Sequence, residues 1–211
     1  MANMYATVPQ LTDRNPSLAD HDQTDLELAL TEASRWIDGY CARKFWLDPT
    51  ATDRVFKAST PYLLDLGAHE IGNATVTVKT DDGTGTFPTT VAASAYQLEP
   101  VNAAYSPLGA APYTTVRAVS TSWPVSYVSS GRQDRIKVTA RYGWPAVPAV
   151  VTQVCLILTV DGFENPSGVR SESIDGYSVS YGAVGETGVY STPAEKAAMA
   201  KLGRYRRRWA A

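Results

Sequence analysis

The chain has 211 residues, a formal net charge of −2 and 19% charged residues. This length suits one hydrophobic core, or one core with an inserted module, and a charge near zero argues against a basic nucleic-acid-binding protein. The N-terminus lacks the cationic start and apolar core of a signal peptide. The apolar run 147–160 is too short and too interrupted to span a bilayer, so we expect a soluble intracellular product.

The first part of the chain predicts an extended arm followed by a helix. Residues 1–19 contain two prolines among short polar residues, which indicates an arm that packs little. Residues 20–46 predict the first helix, from about Asp22 to Lys44, and the stretch TDLE, which begins at Thr24, has the spacing of a capping box. Apolar residues then recur at helical spacing on one side, namely Leu26, Leu30, Ala33, Ile37, Tyr40 and Cys41.

Between residues 47 and 143 the periodicity changes, and we predict a small β domain inserted between helices. Proline and glycine separate short runs of Val, Thr, Tyr and Leu. From Ile136 to Ala140 apolar and polar residues alternate, which is the pattern of a half-buried strand. The stretch TDDGTG at 80–85 places an Asp-Gly pair between two extended runs and predicts a hairpin. The predicted strands are Arg54–Ala58, Tyr62–Leu66, Ala74–Thr80, Ala95–Glu99, Thr114–Ser120 and Arg135–Arg141.

The segment 144–164 predicts a helix from Pro148 to Glu164 that is apolar on nearly every side. Only two threonines and one glutamine interrupt its apolar run before residue 161. A helix that is apolar all round has to be covered all round. The other helices of a small chain cover one side, so the remaining side needs either the β domain or a neighbouring subunit, as in a ring whose helices pack side by side.

The last part of the chain predicts a loop and a third helix. Residues 165–191 are rich in Gly and Ser and indicate a mobile loop or hairpin, with one strand in the alternating stretch YSVSY at 177–181. Residues 192–211 predict a helix with Thr192 as its N-cap, which runs to about Trp209. The predicted fold is therefore α+β: an α-helical core of a long N-terminal helix, an apolar middle helix and a C-terminal helix, with an inserted small β domain.

No sequence pattern is typical of an active site. The two histidines, His21 and His69, belong to no HExxH motif and lie near no cysteines at zinc-ligand spacing. There is no nucleophile elbow, P-loop or dinucleotide-binding glycine motif. Cys41 and Cys155 fall in apolar helical patterns, which indicates buried free thiols. We expect no enzymatic activity, no metal site and no cofactor.

The stretch RYRRRW at 204–209 is the one dense charge feature. Its arginines point in several directions around a helix and form no single stripe. One interpretation is a solvated C-terminal turn, favoured by the helix dipole. The other is docking onto an acidic surface of a protein or nucleic acid, with Tyr205 and Trp209 as aromatic anchors.

These features together resemble the head-to-tail connector, or adaptor, proteins of tailed bacteriophages. The resemblance covers nearly the whole chain, and its most specific part is RYGWPAVPAVV, Arg141 to Val151, at the entry to the apolar helix. The β domain is larger than in minimal, mostly helical members of the family. The other matching stretches are IDGYCARKFW at the end of the first helix, LLDLG and YQLEP in the β domain, SESIDGYSVSYG, and the terminal YRRR.

The resemblance implies a structural protein of the virion neck, made in the host cytoplasm. Such proteins form rings, typically dodecameric, that bind beneath the portal after DNA packaging and extend the channel through which double-stranded DNA passes without sequence-specific binding. They offer a surface to the next connector or the tail, and no catalytic residue is implied. In this interpretation the neighbouring subunit covers the apolar helix.

Three sets of residues carry these expectations. The residues expected to pack between subunits are Val150, Val151, Val154, Leu158, Leu30 and Ile37. The residues expected to dock on the portal are Arg204, Arg206, Arg207, Arg208 and Trp209. The residues expected to add a strand to a tail-side partner or a neighbouring subunit are Tyr177, Val179 and Tyr181.

Two other interpretations stay open. Another neck or tail protein, such as a tail-completion or tail-terminator protein, shares the ring but contacts a different partner. A non-ring binding module with a carbohydrate-binding-like β domain would present several planar aromatic side chains together, whereas the aromatic residues here are scattered along the sequence.

Overall fold

The computed structural model divides into two compact units. Helices and antiparallel sheets are both present, which confirms the α+β class. The helical unit comprises Met1–Arg43 with Ala149–Ala211, and the β unit comprises Lys44–Pro148; the β domain predicted from the sequence is 47–143. The residues described are 3–81, 85–106, 110–125, 135–164, 171–174, 177–180 and 193–207, with the backbone alone at 164 and in 171–180.

The helical unit is arranged around one central helix. Its helices are α1 (Val8–Arg14), α2 (Gln23–Cys41), α3 (Ala149–Glu164) and α4 (Pro193–Leu202). α3 packs against each of the other three, so much of the surface of this helix, which lacks a polar face, is covered by its own chain. A hairpin of two antiparallel strands, β8 (Ser171–Ile174) and β9 (Tyr177–Ser180), follows α3, whereas the sequence predicts one strand in this segment.

The predicted extended arm at residues 1–19 is wrong, because α1 lies within it. Thr7 and Gln10 form a reciprocal capping box at the start of this helix. In the sequence, Pro9 suggests that no helix forms here. In the structure it lies in the first turn of α1, where the backbone N–H that proline lacks would have no partner within the helix. Tyr5, just before the helix, is buried. The N-terminal segment therefore belongs to the core of the helical unit.

Helix α2 begins at Gln23, one residue before the predicted cap Thr24, and ends at Cys41, three residues before Lys44. The N-cap is Asp22, not Thr24: the Asp22 carboxylate accepts a 2.7 Å hydrogen bond from the Thr24 amide. This hydrogen bond lowers the pKa of Asp22. Ala42 ends the helix in the left-handed conformation, with φ of 52°. The helix is therefore capped by Asp22 and not by the capping box predicted from TDLE.

Helix α4 begins at the predicted first position and ends early, and the predicted N-cap, Thr192, lies outside the described residues. Pro193 is its first residue, but the helix stops at Leu202 and a 3-10 turn, Gly203–Tyr205, follows. The sequence predicts a helix to about Trp209. Glycine is a poor helix former, and α4 gives way to the 3-10 turn at Gly203.

The β unit contains two antiparallel sheets that share one core. The first has strand order β1-β7-β3-β4 and the second β2-β6-β5. The six predicted strands are all present, and β4 is additional: it has three residues, none of them buried, and so shows no alternation from which to predict it. The strands are β1 (Thr52–Phe56), β2 (Leu63–Asp65), β3 (Thr77–Thr80), β4 (Thr89–Val91), β5 (Tyr96–Glu99), β6 (Thr115–Ala118) and β7 (Ile136–Ala140).

The core of the β unit follows from the alternation of its strands. In β7 the side chains of Ile136, Val138 and Ala140 are buried, as the sequence predicts. Buried residues of both sheets, including Val78 of β3 and Val116 of β6, belong to one hydrophobic cluster. The two sheets therefore bury one shared face, which is the arrangement of a small β sandwich.

The two ends of the β unit lie against each other. Leu47 and Gly143 form an isolated antiparallel bridge, and the Asp48 amide donates a 2.8 Å hydrogen bond to the Tyr142 carbonyl. Gly143 has φ of 114°, and a Cβ atom there would lie 1.8 Å from the Trp46 carbonyl oxygen. Only glycine allows the two strands to approach this closely.

Candidate interaction surfaces

The apolar surface of α3 is covered mostly by its own chain. Val151 and Val154 have no exposed surface, and neither do Leu30 and Ile37 of α2. These four of the six residues predicted to pack between subunits already form the core of the helical unit. Val150 and Leu158 are partly exposed. Packing between subunits stays a prediction, and these two residues are the ones with surface left for it.

The basic C-terminal end is held against the end of α2. The Arg207 amide donates a 2.9 Å hydrogen bond to the Cys41 carbonyl, and the Arg206 guanidinium lies 5.5 Å from the centroid of the Tyr40 ring. Tyr205 is buried, whereas Arg204 is exposed. Tyr205 is therefore an internal anchor rather than an aromatic contact for a partner. Arg208 and Trp209 lie outside the described residues.

A groove of about 340 Å³ opens between α2, α3 and α4. Its apolar wall includes Trp36, Leu158 and Phe163, and three carboxylate residues also line it: Glu32, Asp161 and Glu195. Each carboxylate comes from a different helix, so no spacing in the sequence places them together. The sequence shows Trp36 and Leu158 only as apolar residues of two predicted helices, and no pattern in it indicates this groove.

Aromatic and backbone contacts connect this groove to the basic end. The Trp36 and Tyr40 rings stack with centroids 5.5 Å apart and planes 6° from parallel. The Tyr40 hydroxyl donates a 3.2 Å hydrogen bond to the Met199 carbonyl, which fixes α2 against α4. The helical unit thus presents an acidic groove and a basic end at different places on the same small group of helices.

The hairpin β8–β9 contains two of the three residues predicted for strand addition. Tyr177 pairs with Ile174 and Val179 with Glu172 across the hairpin, while Tyr181 lies outside the described residues. In a two-stranded sheet each strand keeps one edge that does not pair within the sheet. Addition of a partner strand stays a prediction.

The described residues hold no group of three or more His, Cys, Asp or Glu residues that could bind a metal. Cys41 and Cys155 are free and buried, as predicted. Burial raises the pKa of Cys41 to about 12 and also raises that of Cys155, so both thiols are protonated and poorly nucleophilic near neutral pH. Among the helices that the structure describes, none is both long enough and apolar enough to cross a membrane.

The β unit exposes a few large apolar side chains. Tyr105 is 86% exposed and Val101 62%, and both lie in the segment between β5 and β6. Exposed apolar side chains of this kind are available to a protein partner. No pattern in the sequence singles these two residues out.

No protein-family model matches the chain, and no curated protein matches it. Solved structures do match. One is a chain of the neck of an empty gene transfer agent (GTA) particle computed with C6 symmetry, with a TM-score of 0.53, 18% identity, and coverage of 97% of this chain and 90% of that one. Another, from the neck of a native GTA particle computed with C12 symmetry, has a TM-score of 0.50, 20% identity, and coverage of 100% and 97%. The chain therefore shares its fold with chains of GTA necks.

Proposed function

We propose that this chain is a non-enzymatic structural protein of a virion neck, a head-to-tail adaptor of the kind that its sequence resembles. The observation that carries the proposal is the fold shared with GTA neck chains over nearly the full length of both. The sequence resemblance to phage connectors is independent support, because it rests on motifs and not on the coordinates.

We further propose that the chain forms a ring, dodecameric in the assembled neck, that continues the DNA channel below the portal. The C6 and C12 symmetries with which the similar necks were computed support a ring. Partly exposed Val150 and Leu158 on α3 supply apolar surface for a neighbouring subunit. The outer edges of β8–β9 suit pairing with a strand of a neighbour or of the next connector.

The basic end is proposed to dock on the portal rather than line the channel. A cationic channel wall would bind phosphates through counterion release and oppose the sliding of DNA, with the contact repeated around the ring. Arginine at a protein interface instead forks to carboxylates. Because Arg206 and Arg207 also contact α2, deleting them would disturb the helical unit, so a test of docking has to leave them in place.

The test uses a chain truncated after Arg207, which removes 208–211 and keeps the contacts of Arg206 and Arg207. Purified full-length chain and portal protein of the same virus are mixed, and the mass of the complex is measured by light scattering. We expect the full-length chain to be at most weakly associated alone at micromolar concentration and to form a ring on the portal. The truncated chain is expected to bind the portal at least tenfold more weakly, about 1.4 kcal/mol.

Circular dichroism of the truncated chain is the control for folding. A full-length chain that does not bind portal would contradict the adaptor proposal. A stable ring without portal would contradict assembly on the portal as a template. Unchanged binding by the truncated chain would place docking elsewhere and leave the basic end as a solvated turn.

A further inference from the structure

The groove between α2, α3 and α4 has the chemistry of a receptor for long cationic side chains. Trp36, Leu158 and Phe163 offer apolar wall to an aliphatic stem, while exposed Glu32 offers negative charge to its head, and Asp161 and Glu195 line the same groove. Lysine and arginine combine such a stem with such a head, and an indole face adds cation–π attraction. A volume of about 340 Å³ is at the small end of ligand pockets, which begin at roughly 300 Å³. It fits side chains rather than a whole helix.

The helical unit also carries a surface that matches this groove. On α4 and the turn after it, Lys201 and Arg204 are exposed and three residues apart, which places them on one side of a helical stretch. Ala197 and Ala200 are exposed on the same part of α4. Their small side chains allow another surface to approach the helix closely while the two cationic side chains project from it.

We propose that Lys201 and Arg204 of one copy enter the acidic groove of a second copy. This contact rests on the proposed ring, and it specifies how neighbouring subunits meet. Groove and basic face are different surfaces of the same unit, so their contact is head-to-tail, and head-to-tail contacts close into rings when the rotation between subunits permits. The proposal moves Arg204 from the predicted portal-docking set to the contact between copies and leaves Arg206 to Trp209 for the portal. It also uses Leu158, which a second copy would cover.

The contact is weak in isolation. A stable interface buries roughly 800 Å² on each partner, far more than two side chains in one small groove can supply. Exposed charge pairs contribute about 0.2–1 kcal/mol each and are screened by salt. The groove thus gives the ring its direction, while attachment to the portal supplies the local concentration that assembly needs.

The test is a disulfide between copies. One variant carries Glu32→Cys and another Lys201→Cys; both native cysteines are buried and give little background. The two variants are mixed with a mild oxidant, both free at high concentration and bound to portal, and the products are separated by mass. We expect a covalent dimer in the mixture and none from either variant alone. A chain with both substitutions should give a ladder of multimers, and 0.5 M salt should lower the yield of free-chain dimer.

A matched control replaces Lys201→Cys with Arg14→Cys, which changes an exposed basic residue at the end of α1. This control should give no dimer with Glu32→Cys. Dimers from a single variant alone, equal yield with the Arg14→Cys control, or no dimer in either state would overturn the proposal. A ring on the portal without a disulfide between positions 32 and 201 would contradict this contact and leave the adaptor proposal standing. A ladder of disulfide-linked multimers from a chain that does not bind portal would contradict the adaptor proposal and leave the contact standing.

Charge reversal gives a second readout that does not depend on cysteines. Glu32→Lys and Lys201→Glu should each weaken the self-association measured by sedimentation at high concentration. Two copies of the same single variant place like charges opposite each other, whereas a mixture of the two single variants and the double variant both restore opposite charges. We expect the double variant to recover association, and a double variant no better than either single one would also overturn the proposal.

Discussion

Gly143 shows how strongly one position can constrain the β unit. Its φ of 114° is unfavourable for any side chain, and a Cβ would collide with the Trp46 carbonyl oxygen. We expect Gly143→Ala to lower the free energy of unfolding by about 3 kcal/mol or more, since strain and steric overlap act together. Chemical denaturation followed by circular dichroism measures the change.

The matched control is Gly39→Ala in α2, where a Cβ meets no atom within 4 Å. Because alanine is a better helix former than glycine, this variant should gain up to about 1 kcal/mol. Equal effects of the two substitutions would show that the close approach at Gly143 does not govern stability.

Cys41 makes the stability of the helical unit sensitive to alkaline pH. In the folded chain burial raises the pKa of Cys41 from its ordinary value of 9.0 to about 12. Between these pH values the unfolded chain has lost a proton that the folded chain retains, so the free energy of unfolding falls as pH rises. Below pH 9 the contribution is fully present.

We expect Cys41→Ala to show a shallower loss of stability between pH 9 and 11 than the unaltered chain. The cavity left by the sulfur lowers the free energy of unfolding by the same amount at each pH. The difference between the two chains in the slope of that free energy against pH therefore reports only the ionisation of the thiol. Tyr142 and Cys155 also have raised pKa values through burial, so part of the slope remains in the variant. Identical slopes would contradict the role of Cys41.

At the scale of elements, α3 has both buried and partly exposed residues, so substitutions in it can test folding and assembly separately. Val154 is fully buried within the chain, so Val154→Asp leaves an unpaired buried carboxylate and should cost about 3 kcal/mol or more. Val150 is partly exposed in the first turn of α3, where a carboxylate is favoured by the helix dipole. Val150→Asp should therefore leave a folded monomer.

The same Val150→Asp variant should fail to form the ring on the portal if a neighbouring subunit covers this end of α3. Thermal unfolding tests the monomer, and light scattering with portal tests the ring. Ring formation at unchanged affinity would mean that Val150 faces solvent in the assembly.

How far the sequence predicts each element depends on how local its signal is. Six strands of the β unit are predicted to within about three residues, because alternation and turn residues are local. α1 is missed, because Pro9 in a first turn looks the same in sequence as Pro9 in a loop. The cover of α3 and the acidic groove cannot be predicted, because both depend on which helices meet in space. Glu32, Asp161 and Glu195 are far apart in the chain and acquire a common role only when α2, α3 and α4 pack.

At the scale of the whole molecule, the two units contribute differently to the proposed neck protein. The helical unit contains the residues proposed for subunit packing, the acidic groove and the basic end, so the ring is assigned to it. The β unit has its own core and the exposed pair Val101 and Tyr105. GTA neck chains match both units, since the likeness extends over 97% of this chain in one case.

The bridge between Leu47 and Gly143 has a consequence for how such a protein diverges. The chain enters and leaves the β unit at adjacent points. The segment Lys44–Pro148 can therefore be lengthened, shortened or exchanged while the order of the helices stays the same. Insertions with adjacent ends are the kind that a host fold tolerates best. A lineage can therefore inherit the helical unit with little change while it recombines the β unit to meet new partners.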